Sequence, residues 1–349
     1  PYCLENTTVC RDRQTAFLPR FKPGVSCLII MKKDFLSIDD IDEYELESIV
    51  ADAMRLKRLK RAGTAHEFLR GKSLGMIFEK ASTRTRVSFE VGMTDLGGHA
   101  LFLNPQDMQL GRGEEIRDTA RVLARYVDAV MIRAYKHATI EEFARYSTVP
   151  VVNGLSDSRH PCQVLADIMT LSERFGDLHG LKLAWVGDGN NVCNSWVLSA
   201  ALTGMEIAVA SPPRYQPGDA VISKARAAGG RVSVVADPAE AVRDADVLYT
   251  DIWVSMGNEQ ERAERLRALK GYTIDSRLLA QASPDALVMH CLPAHRGEEI
   301  TDEVLEGPQS IVWDQAENRL HAQKALLVRL VAGGMQAAEC EGVGVVDVS

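Results

Sequence analysis

Several features that would mark particular protein classes are missing from this sequence. The seven cysteines among 349 residues form no CxxC pair and are odd in number, which argues against a zinc ribbon or a disulfide scaffold and favours a reducing compartment. No apolar run approaches the roughly 18 residues of a membrane-spanning helix. The formal net charge is −8, whereas a general nucleic-acid binder is usually basic. We therefore predict a cytoplasmic protein with neither a membrane nor a nucleic-acid partner.

The composition and the order of sequence patterns indicate the fold class. Apolar residues make up 46% of the chain, and at about 100–200 residues per domain its length suggests two domains. Short apolar segments alternate with helical patterns, which is typical of parallel β-sheets covered by helices. The sequence therefore predicts an α/β fold with two domains, each a parallel β-sheet flanked by helices. The predicted strands are 73–78, 129–133, 150–153, 181–187, 205–210, 231–235, 247–250, 287–290 and 311–313.

The segment after the first predicted strand carries the strongest functional signal. Residues 78–86 (FEKASTRTR) open a helix, where backbone N–H groups and the helix dipole favour an anion. Three hydroxyl side chains, together with Arg84 and Arg86, add donors and positive charge. A simple helix cap needs only one hydroxyl group. The run S-T-R-T-R therefore predicts a phosphate-binding site.

Two further segments lie at predicted helix starts. Residues 160–163 (HPCQ) place a histidine where the helix dipole keeps it neutral and able to donate a hydrogen bond, although a capping histidine beside a packed cysteine would look the same. Residues 186–191 (VGDGNN) end a strand with G-x-G, but Val192 stands where a dinucleotide fingerprint needs its third glycine. We therefore expect asparagines of this loop to bind a polar ligand, and a nicotinamide cofactor becomes the less favoured hypothesis.

Two segments after later strands indicate an amino-acid site and a thiol. Residues 251–257 (DIWVSMG) offer a carboxylate for an α-ammonium group and a turn N–H for an α-carboxylate. An Asx turn explains Asp251 but not the whole loop. In residues 290–293 (HCLP), Cys291 could be a nucleophile, a proton acceptor or inert, and the residues alone leave all three open.

Together these segments resemble those of the transcarbamylase family, in the family's order and over residues 33–330. STRTR and HPCQ occur across the family, whereas D-x-x-x-S-M-G and HCLP are typical of members that use ornithine; the aspartate branch carries an HPGP-type run instead of HCLP. The resemblance implies transfer of the carbamoyl group of carbamoyl phosphate to the δ-amine of L-ornithine, without a metal or an organic cofactor. It also implies a homo-oligomer, a trimer or a multiple of trimers, because the family's active site is shared between subunits.

The resemblance assigns roles to individual positions. It implies that Gln109 reaches the phosphate site of a neighbouring subunit and that the Leu292–Pro293 peptide bond is cis. The implied catalytic residues are Arg133, His160, Cys291 and Asp251, with no covalent intermediate on the cysteine. The implied carbamoyl-phosphate contacts are Ser82, Thr83, Arg84, Thr85, Gln109, Arg133, His160, Gln163, Cys291, Leu292 and Arg319. The implied ornithine contacts are Asn191, Asp251, Ser255 and Met256.

The resemblance also implies a division of the chain. Residues 33–158 form the carbamoyl-phosphate-binding domain, 159–316 the ornithine-binding domain, and 317–331 a C-terminal helix that packs back on the first domain. Residues 1–32 are predicted to be a disordered extension and 332–349 a disordered tail. The alternatives are a transcarbamylase with another amine acceptor, a nicotinamide dehydrogenase and a catalytically inactive homologue. Each motif position carries the residue that the family's motif expects, which argues against an inactive homologue.

Overall fold

The computed structural model contains two parallel β-sheets, which confirms the predicted fold class. It describes residues 32–109, 112–254 and 259–340. The strands within these ranges are β1 (Ser73–Phe78), β2 (His99–Leu103), β3 (Ala129–Arg133), β4 (Val151–Leu155), β5 (Lys182–Val186), β6 (Glu206–Ala210), β7 (Arg231–Val235), β8 (Val247–Thr250) and β9 (Leu287–His290). They pair in the orders β2-β1-β3-β4 and β7-β6-β5-β8-β9, always in parallel.

Helices flank both sheets. Within the described ranges, none is long and apolar enough to cross a membrane. They are α1 (Glu43–Arg61), α2 (Thr83–Asp95), α3 (Ile116–Leu123), α4 (His137–Tyr146), α5 (Pro161–Phe175), α6 (Asn191–Thr203), α7 (Asp219–Ala227), α8 (Pro238–Val242), α9 (Arg262–Ala268), α10 (Ser276–Leu279), α11 (Asp302–Leu305), α12 (Val312–Ala332) and α13 (Met335–Cys340). As predicted, the C-terminal helix α12 packs back against the first half of the chain, on α1 and α2, and it also packs on α5.

Each sheet has one point at which the chain order reverses. In the first sheet this point lies between β1 and β3, where Phe78 pairs with Arg133. In the second sheet it lies between β5 and β8, where Trp185 pairs with Tyr249. Open α/β sheets bind ligands beyond the carboxyl ends of their strands at such a reversal. The fold therefore places the loops with the predicted motifs at the two positions best suited to binding.

The strand ends below these loops are rigidly packed. Every residue of β3 and β8 is buried. The Trp185 ring stacks on Tyr249 with their centroids 5.0 Å apart, and Trp196 of α6 approaches Tyr249 edge-on at 6.1 Å. Such aromatic pairs stabilise a core beyond the area that they bury. The binding loops therefore extend from a dense, well-ordered support.

Two local predictions are wrong. Residues 311–313 are not a strand, because α12 begins at Val312 rather than at 317, and only Ser310 bridges β9. Three apolar residues cannot distinguish a strand from the start of a helix. Strand β2 is absent from the predicted set, since its short HALFL sequence has neither the alternation of a half-buried strand nor a motif beside it.

The two chain ends differ in how much the structure describes. Part of the predicted tail is ordered, because α13 is helical and its residues Met335 and Ala338 are buried. Residues 341–349 and residues 1–31 of the predicted extension lie outside the described residues.

Candidate active site

The loops that follow six strands line one cleft of about 670 Å³. Six loop ends converge here because the carboxyl ends of the two parallel sheets face the same space. The predicted residues that line the cleft are Ser82, Thr83, Arg84, Thr85, Arg133, His160, Gln163, Asn191, Asp251, Cys291, Leu292 and Arg319. Gln109 is exposed and is absent from this lining, whereas Ser255 and Met256 lie outside the described residues.

The S-T-R-T-R run forms the start of α2, as predicted. Ser82 is the N-cap: its backbone is extended and its Oγ accepts a hydrogen bond from the Thr85 N–H at 3.3 Å. The hydroxyl thus satisfies one of the N–H groups that a helix start leaves without an intrahelical partner. Thr83 and Arg84 follow at the exposed surface of the cleft. The positive end of the helix dipole and an arginine therefore face the space that an anion would occupy.

Arg84 also connects this helix start to the turn after β9. Its Nη2 donates a hydrogen bond to the Leu292 carbonyl oxygen at 2.7 Å. Leu292 has a left-handed backbone with φ of 57°, and the Leu292–Pro293 bond is cis, as the resemblance implied. The resemblance assigns the Leu292 carbonyl as a contact for the carbamoyl amide of the substrate. In this structure Leu292 lines the cleft, and its carbonyl oxygen accepts a hydrogen bond from Arg84.

Three arginines gather positive charge in the cleft. Arg133 ends β3, where it is 6% exposed, and its Nε has no hydrogen-bond partner among the described residues. Burial, together with repulsion from Arg319 and Arg84, lowers the pKa of Arg133 to about 10. The guanidinium groups still carry their charge at neutral pH. Because clustered cations with an unused donor are stabilised by an anion, the cleft suits a phosphate or a developing oxyanion.

Arg319 connects α12 to two predicted contact residues. It lies two turns into α12, not at the start of the helix as the sequence suggested, and it is 4% exposed. Its Nη1 donates to Gln163 Oε1 at 2.6 Å and its Nη2 to Thr85 Oγ1 at 3.3 Å. Gln163 in turn donates to Asp167 Oδ1 at 2.8 Å. The last long helix therefore joins the cleft to both halves of the fold.

His160 precedes α5 and is held as a neutral donor. Its main-chain N–H donates to Ser195 Oγ at 2.8 Å, and its buried Nδ1 has no partner among the described residues. Burial lowers the pKa of His160 well below its usual range, and Arg319, Arg133 and Arg84 lower it further. A neutral imidazole can donate one hydrogen bond to an oxygen in the cleft without adding a fourth charge.

We expect His160 to stay neutral as the pH falls from 8 to 6. A lowered pKa means that protonation begins only well below the ordinary value of about 6.5. Nitrogen-15 NMR of histidine-labelled protein measures this, with His160→Asn identifying the signal. A His160 resonance that titrates near pH 6.5 would contradict this view of the site.

Asp251 is oriented by groups from three loops. Asn190 Nδ2 donates to Asp251 Oδ2 at 2.7 Å, and the Ile252 N–H donates to Oδ1 at 2.8 Å. The Cys291 thiol donates to the same Oδ1 at 3.0 Å. Asp251 itself is only 6% exposed and lines the cleft. A buried carboxylate held in this way is a fixed negative group for a cation such as an ammonium.

The surroundings of Cys291 favour the thiol over the thiolate. Burial raises the pKa of Cys291 well above its usual range, and the neighbouring Asp251 charge raises it further. A nucleophilic cysteine needs the opposite, a lowered pKa in an electropositive site. Of the three roles open at the sequence level, the geometry therefore supports a protonated thiol that donates to Asp251, not a nucleophile.

The G-x-G loop after β5 is a tight turn. Gly187 has φ of 126°, a conformation that suits glycine, and a Cβ on Gly189 would lie 2.5 Å from the Pro217 nitrogen. Asn191 begins α6 and donates to the Ser156 carbonyl oxygen at 2.6 Å. Val192, at the position of a dinucleotide glycine, is buried. The glycines are thus explained by local packing, which weakens the nicotinamide hypothesis.

Several cleft residues are missing from the predicted set. Lys80 lies over the Tyr135 ring at 4.6 Å, and Arg265 Nη1 donates to Asp188 Oδ2 at 3.0 Å. Burial raises the pKa of Asp188 to about 7, although Arg265 opposes the rise. Lys80, Asp188 and Asn190 lie inside segments that the motifs had already singled out. Arg265 comes from α9, and no motif marks it.

Comparisons with known proteins agree with the fold. The family profile described as "Aspartate/ornithine carbamoyltransferase, carbamoyl-P binding domain" matches residues 33–173, and "Aspartate/ornithine carbamoyltransferase, Asp/Orn binding domain" matches residues 179–330. These profiles divide the chain between its two sheets. The chain belongs to the aspartate/ornithine carbamoyltransferase family.

Individual relatives carry the name ornithine carbamoyltransferase. The protein of that name from Methanoculleus marisnigri is 90% identical over 88% of this chain and all of the relative, and that from Methanocorpusculum labreanum is 60% identical over 87% and 100%. The solved ornithine carbamoyltransferase from Pyrococcus furiosus is 52% identical, with a TM-score of 0.83 over 88% of this chain and 99% of its own. This chain is similar to each along nearly its whole length.

Proposed function

We propose that this protein transfers the carbamoyl group of carbamoyl phosphate to the δ-amine of L-ornithine, giving L-citrulline and phosphate. The observation that carries the proposal is the pairing, in one cleft, of a cationic anion site with the buried Asp251–Cys291 pair. The first suits a phosphorylated, negatively charged donor. The second suits an acceptor that brings an ammonium group. Family membership and the relatives' names support the same reaction.

The helix start and its arginine hold the phosphate in this proposal. Ser82, Thr83, Arg84 and Thr85 bind the phosphate oxygens at the N-terminus of α2, where N–H groups and the dipole attract an anion. Phosphate is also the leaving group, so the same contacts stabilise its growing charge as the C–O bond breaks. The chemistry requires neither a metal nor an organic cofactor, because carbamoyl phosphate is already activated.

The carbonyl oxygen of the donor is stabilised by groups that already point into the cleft. Arg133, His160 and Thr85 supply hydrogen bonds that strengthen as this oxygen becomes an oxyanion. Interactions that are stronger in the transition state than in the ground state are the ones that accelerate a reaction. Gln163, Arg319 and the Leu292 carbonyl orient the carbamoyl amide, as the family resemblance implies.

The acceptor amine must be neutral in order to attack. An amine with a pKa of ~10.4 lies about 3.4 units above pH 7, which costs about 4–5 kcal/mol. Nearby cations and low solvent exposure reduce this cost. Asp251 binds the α-ammonium group together with Asn191, Ser255 and the Met256 N–H at the α-carboxylate. The Cys291 thiol, fixed by Asp251, positions the δ-nitrogen.

Replacing Arg84 with alanine should weaken carbamoyl-phosphate binding by about tenfold or more, because one charge-assisted contact to phosphate is lost. Binding of a zwitterionic amino acid should change far less. Isothermal titration of both ligands measures the difference. Arg86→Ala is the matched control because Arg86, which the sequence had placed with Arg84, does not line the cleft and pairs with Glu90 on the same helix. Equal losses for the two ligands would contradict the phosphate role of Arg84.

The acceptor is tested by initial rates of carbamoyl transfer to ornithine, putrescine, aspartate and acetylornithine. We expect kcat/KM to be highest for ornithine by at least about two orders of magnitude, because only ornithine offers both a free α-amino-acid group and a δ-amine. Comparable use of putrescine would show that the α-carboxylate clamp is not part of the site.

We also propose that the protein is a trimer, or a multiple of trimers, with shared sites. Val87 and Val91 on α2 and Leu101 and Phe102 on the neighbouring edge strand β2 are 37–50% exposed, which suits a subunit interface. Gln109, exposed beyond β2, would then reach the phosphate site of a neighbour. This assignment explains why Gln109 does not line the cleft of its own chain.

Hybrid complementation tests the shared site. Mixing inactive Arg133→Met subunits with weakened Gln109→Ala subunits should recover activity, because some sites then combine an intact Arg133 with an intact Gln109 from the neighbour. Light scattering after size-exclusion chromatography gives the oligomer in parallel. No recovery in verified hybrids would mean that Gln109 acts within its own chain or not at all.

The proposal also covers the roles of the two domains in substrate binding and the cellular location of the protein. Residues 33–158 supply the contacts to the phosphate group and residues 159–316 supply those to ornithine. His160, Gln163 and Leu292 of the second range also contact the carbamoyl group, and the last long helix packs on the first domain. A cytoplasmic location is supported by Cys162, Cys193 and Cys291, which are free thiols in the described part of the chain.

A further inference from the structure

A buried histidine and a buried glutamate lie directly beneath the turn that follows β9. His290 and Glu299 are both fully inaccessible to solvent, and neither belongs to the described lining of the cleft. The Leu292 N–H donates to His290 Nδ1 at 2.8 Å. His290 Nε2 lies 3.2 Å from Glu299 Oε1. A chain of two hydrogen bonds therefore leads from a buried carboxylate to the backbone of Leu292.

The direction of this chain follows from its first bond. A backbone N–H only donates, so His290 Nδ1 must be the acceptor and carries no proton. The ring proton is then on Nε2, from which it is donated to Glu299 Oε1. Glu299 Oε1 also accepts the His295 N–H at 2.5 Å. Glu299 thus selects one tautomer of His290, and that tautomer fixes the Leu292 amide.

The Leu292 amide needs such support. A non-glycine residue with φ of 57° is in a strained conformation that persists only where its surroundings impose it. The same residue directs its carbonyl toward Arg84, and its neighbour Cys291 contacts Asp251. Loss of the Leu292 N–H acceptor would therefore release the carbonyl that the cleft presents to the donor's carbamoyl group.

We propose that Glu299 and His290 are positioning residues for carbamoyl transfer, which act through the Leu292 carbonyl. The proposal rests on the proposed function. Neither side chain lines the cleft. Asp251 is held independently by Asn190 and the Ile252 N–H, so ornithine binding should depend little on the pair. Carbamoyl-phosphate binding and kcat should depend on it strongly.

The kinetic test compares Glu299→Ala with Glu299→Gln. Alanine leaves the His290 Nε2–H without its acceptor, and kcat/KM for carbamoyl phosphate should fall by about 10- to 100-fold, as expected when a reacting group is displaced by a fraction of an ångström. KM for ornithine should stay within about threefold. Glutamine keeps an oxygen acceptor, so E299Q should recover most of the loss. His290→Phe, which has no acceptor for the Leu292 N–H, should resemble E299A.

A second buried histidine provides the control for stability. His66 contacts the Thr64 carbonyl and Lys324 at a distance from the cleft. His66→Ala should lower the melting temperature while leaving kcat and both KM values unchanged. Equal losses for both substrates in E299A, or no rescue by E299Q, would overturn the positioning role.

A measurement on the unmodified protein keeps the proposal testable if E299A does not fold. Nitrogen-15 NMR of histidine-labelled protein should show His290 protonated at Nε2 and unprotonated at Nδ1. A proton on Nδ1 would overturn the proposal. The proposed function fails separately, through absence of citrulline formation by the wild-type protein, and leaves the tautomer result standing.

Discussion

Replacing Arg133 with methionine is expected to lower kcat by about 10²- to 10³-fold, the usual cost of removing one preorganised oxyanion donor. Arg133 is buried at the end of β3, and its Nε has no partner among the described residues. Its pKa of about 10 leaves it charged during turnover. Because a strand rather than a loop fixes the position of Arg133, orienting this hydrogen-bond donor costs little free energy when the oxyanion forms. Methionine keeps much of the volume and removes the charge.

Steady-state kinetics with both substrates varied measure this effect. Arg277→Met is the matched control, since the Arg277 side chain is 90% exposed and its nearest acidic partner is 3.9 Å away. The control should match the wild type in kcat and both KM values. If R133M raises KM for carbamoyl phosphate while kcat stays unchanged, Arg133 contributes only ground-state binding, and the oxyanion assignment is wrong.

The second large effect is expected at Asp251. Asp251→Asn should lower kcat/KM for ornithine by about two to three orders of magnitude, the scale of losing one partner of a buried charge pair. Asparagine keeps the size of the side chain but removes the charge that attracts an ammonium group. It also weakens the acceptor of the Cys291 thiol, so the δ-nitrogen loses its positioning group as well. Both losses affect ornithine, which accepts the carbamoyl group, and not carbamoyl phosphate, which donates it.

The affinity for carbamoyl phosphate therefore shows whether D251N acts only on ornithine binding or disturbs the whole cleft. Its Kd in D251N should stay within about threefold of the wild-type value. Asp237→Asn serves as the control, because Asp237 caps α8 and asparagine caps equally well. A large loss of carbamoyl-phosphate binding in D251N would indicate that the whole cleft is disturbed.

The sequence was most informative where function needs a contiguous run of residues. Ser82 to Arg84 cap and face the cleft at the start of α2 because one helix terminus provides the anion site. Asp251 and Cys291 each follow a strand, and parallel pairing of β8 with β9 brings them within hydrogen-bond distance. Their proximity could be anticipated from the rule that such strands end at one edge of the sheet.

The sequence could not predict hydrogen bonds between polar side chains that lie far apart along the chain. Gln315 on α12 donates to Asp167 on α5 and to the Tyr249 hydroxyl on β8, each at 2.8 Å. Arg265 joins the cleft only because α9 folds back over Asp188. No periodicity marks such contacts, since each depends on how several elements pack at once. The same reason hides Glu299, whose role is visible only beneath the folded turn.

Short segments are ambiguous at the sequence level, and one of them led to a wrong prediction. Three apolar residues at 311–313 suit a strand or the first turn of a helix equally, and packing of α12 settles the choice. The sequence already disfavoured a dinucleotide at the G-x-G of the loop after β5, and the close approach of Pro217 to Gly189 accounts for the second glycine. In both places the tertiary contacts, which the sequence does not display, determine the local structure.

Following a labelled carbamoyl group tests the proposed transfer from carbamoyl phosphate to ornithine. Wild-type protein is mixed with carbon-13-labelled carbamoyl phosphate and ornithine, and carbon-13 and phosphorus-31 NMR record the products. We expect the label to appear in the ureido carbon of citrulline, with one phosphate released per citrulline formed and no labelled thiocarbamate on Cys291. Release of phosphate without labelled citrulline, or a carbamoyl group trapped on Cys291, would contradict this expectation.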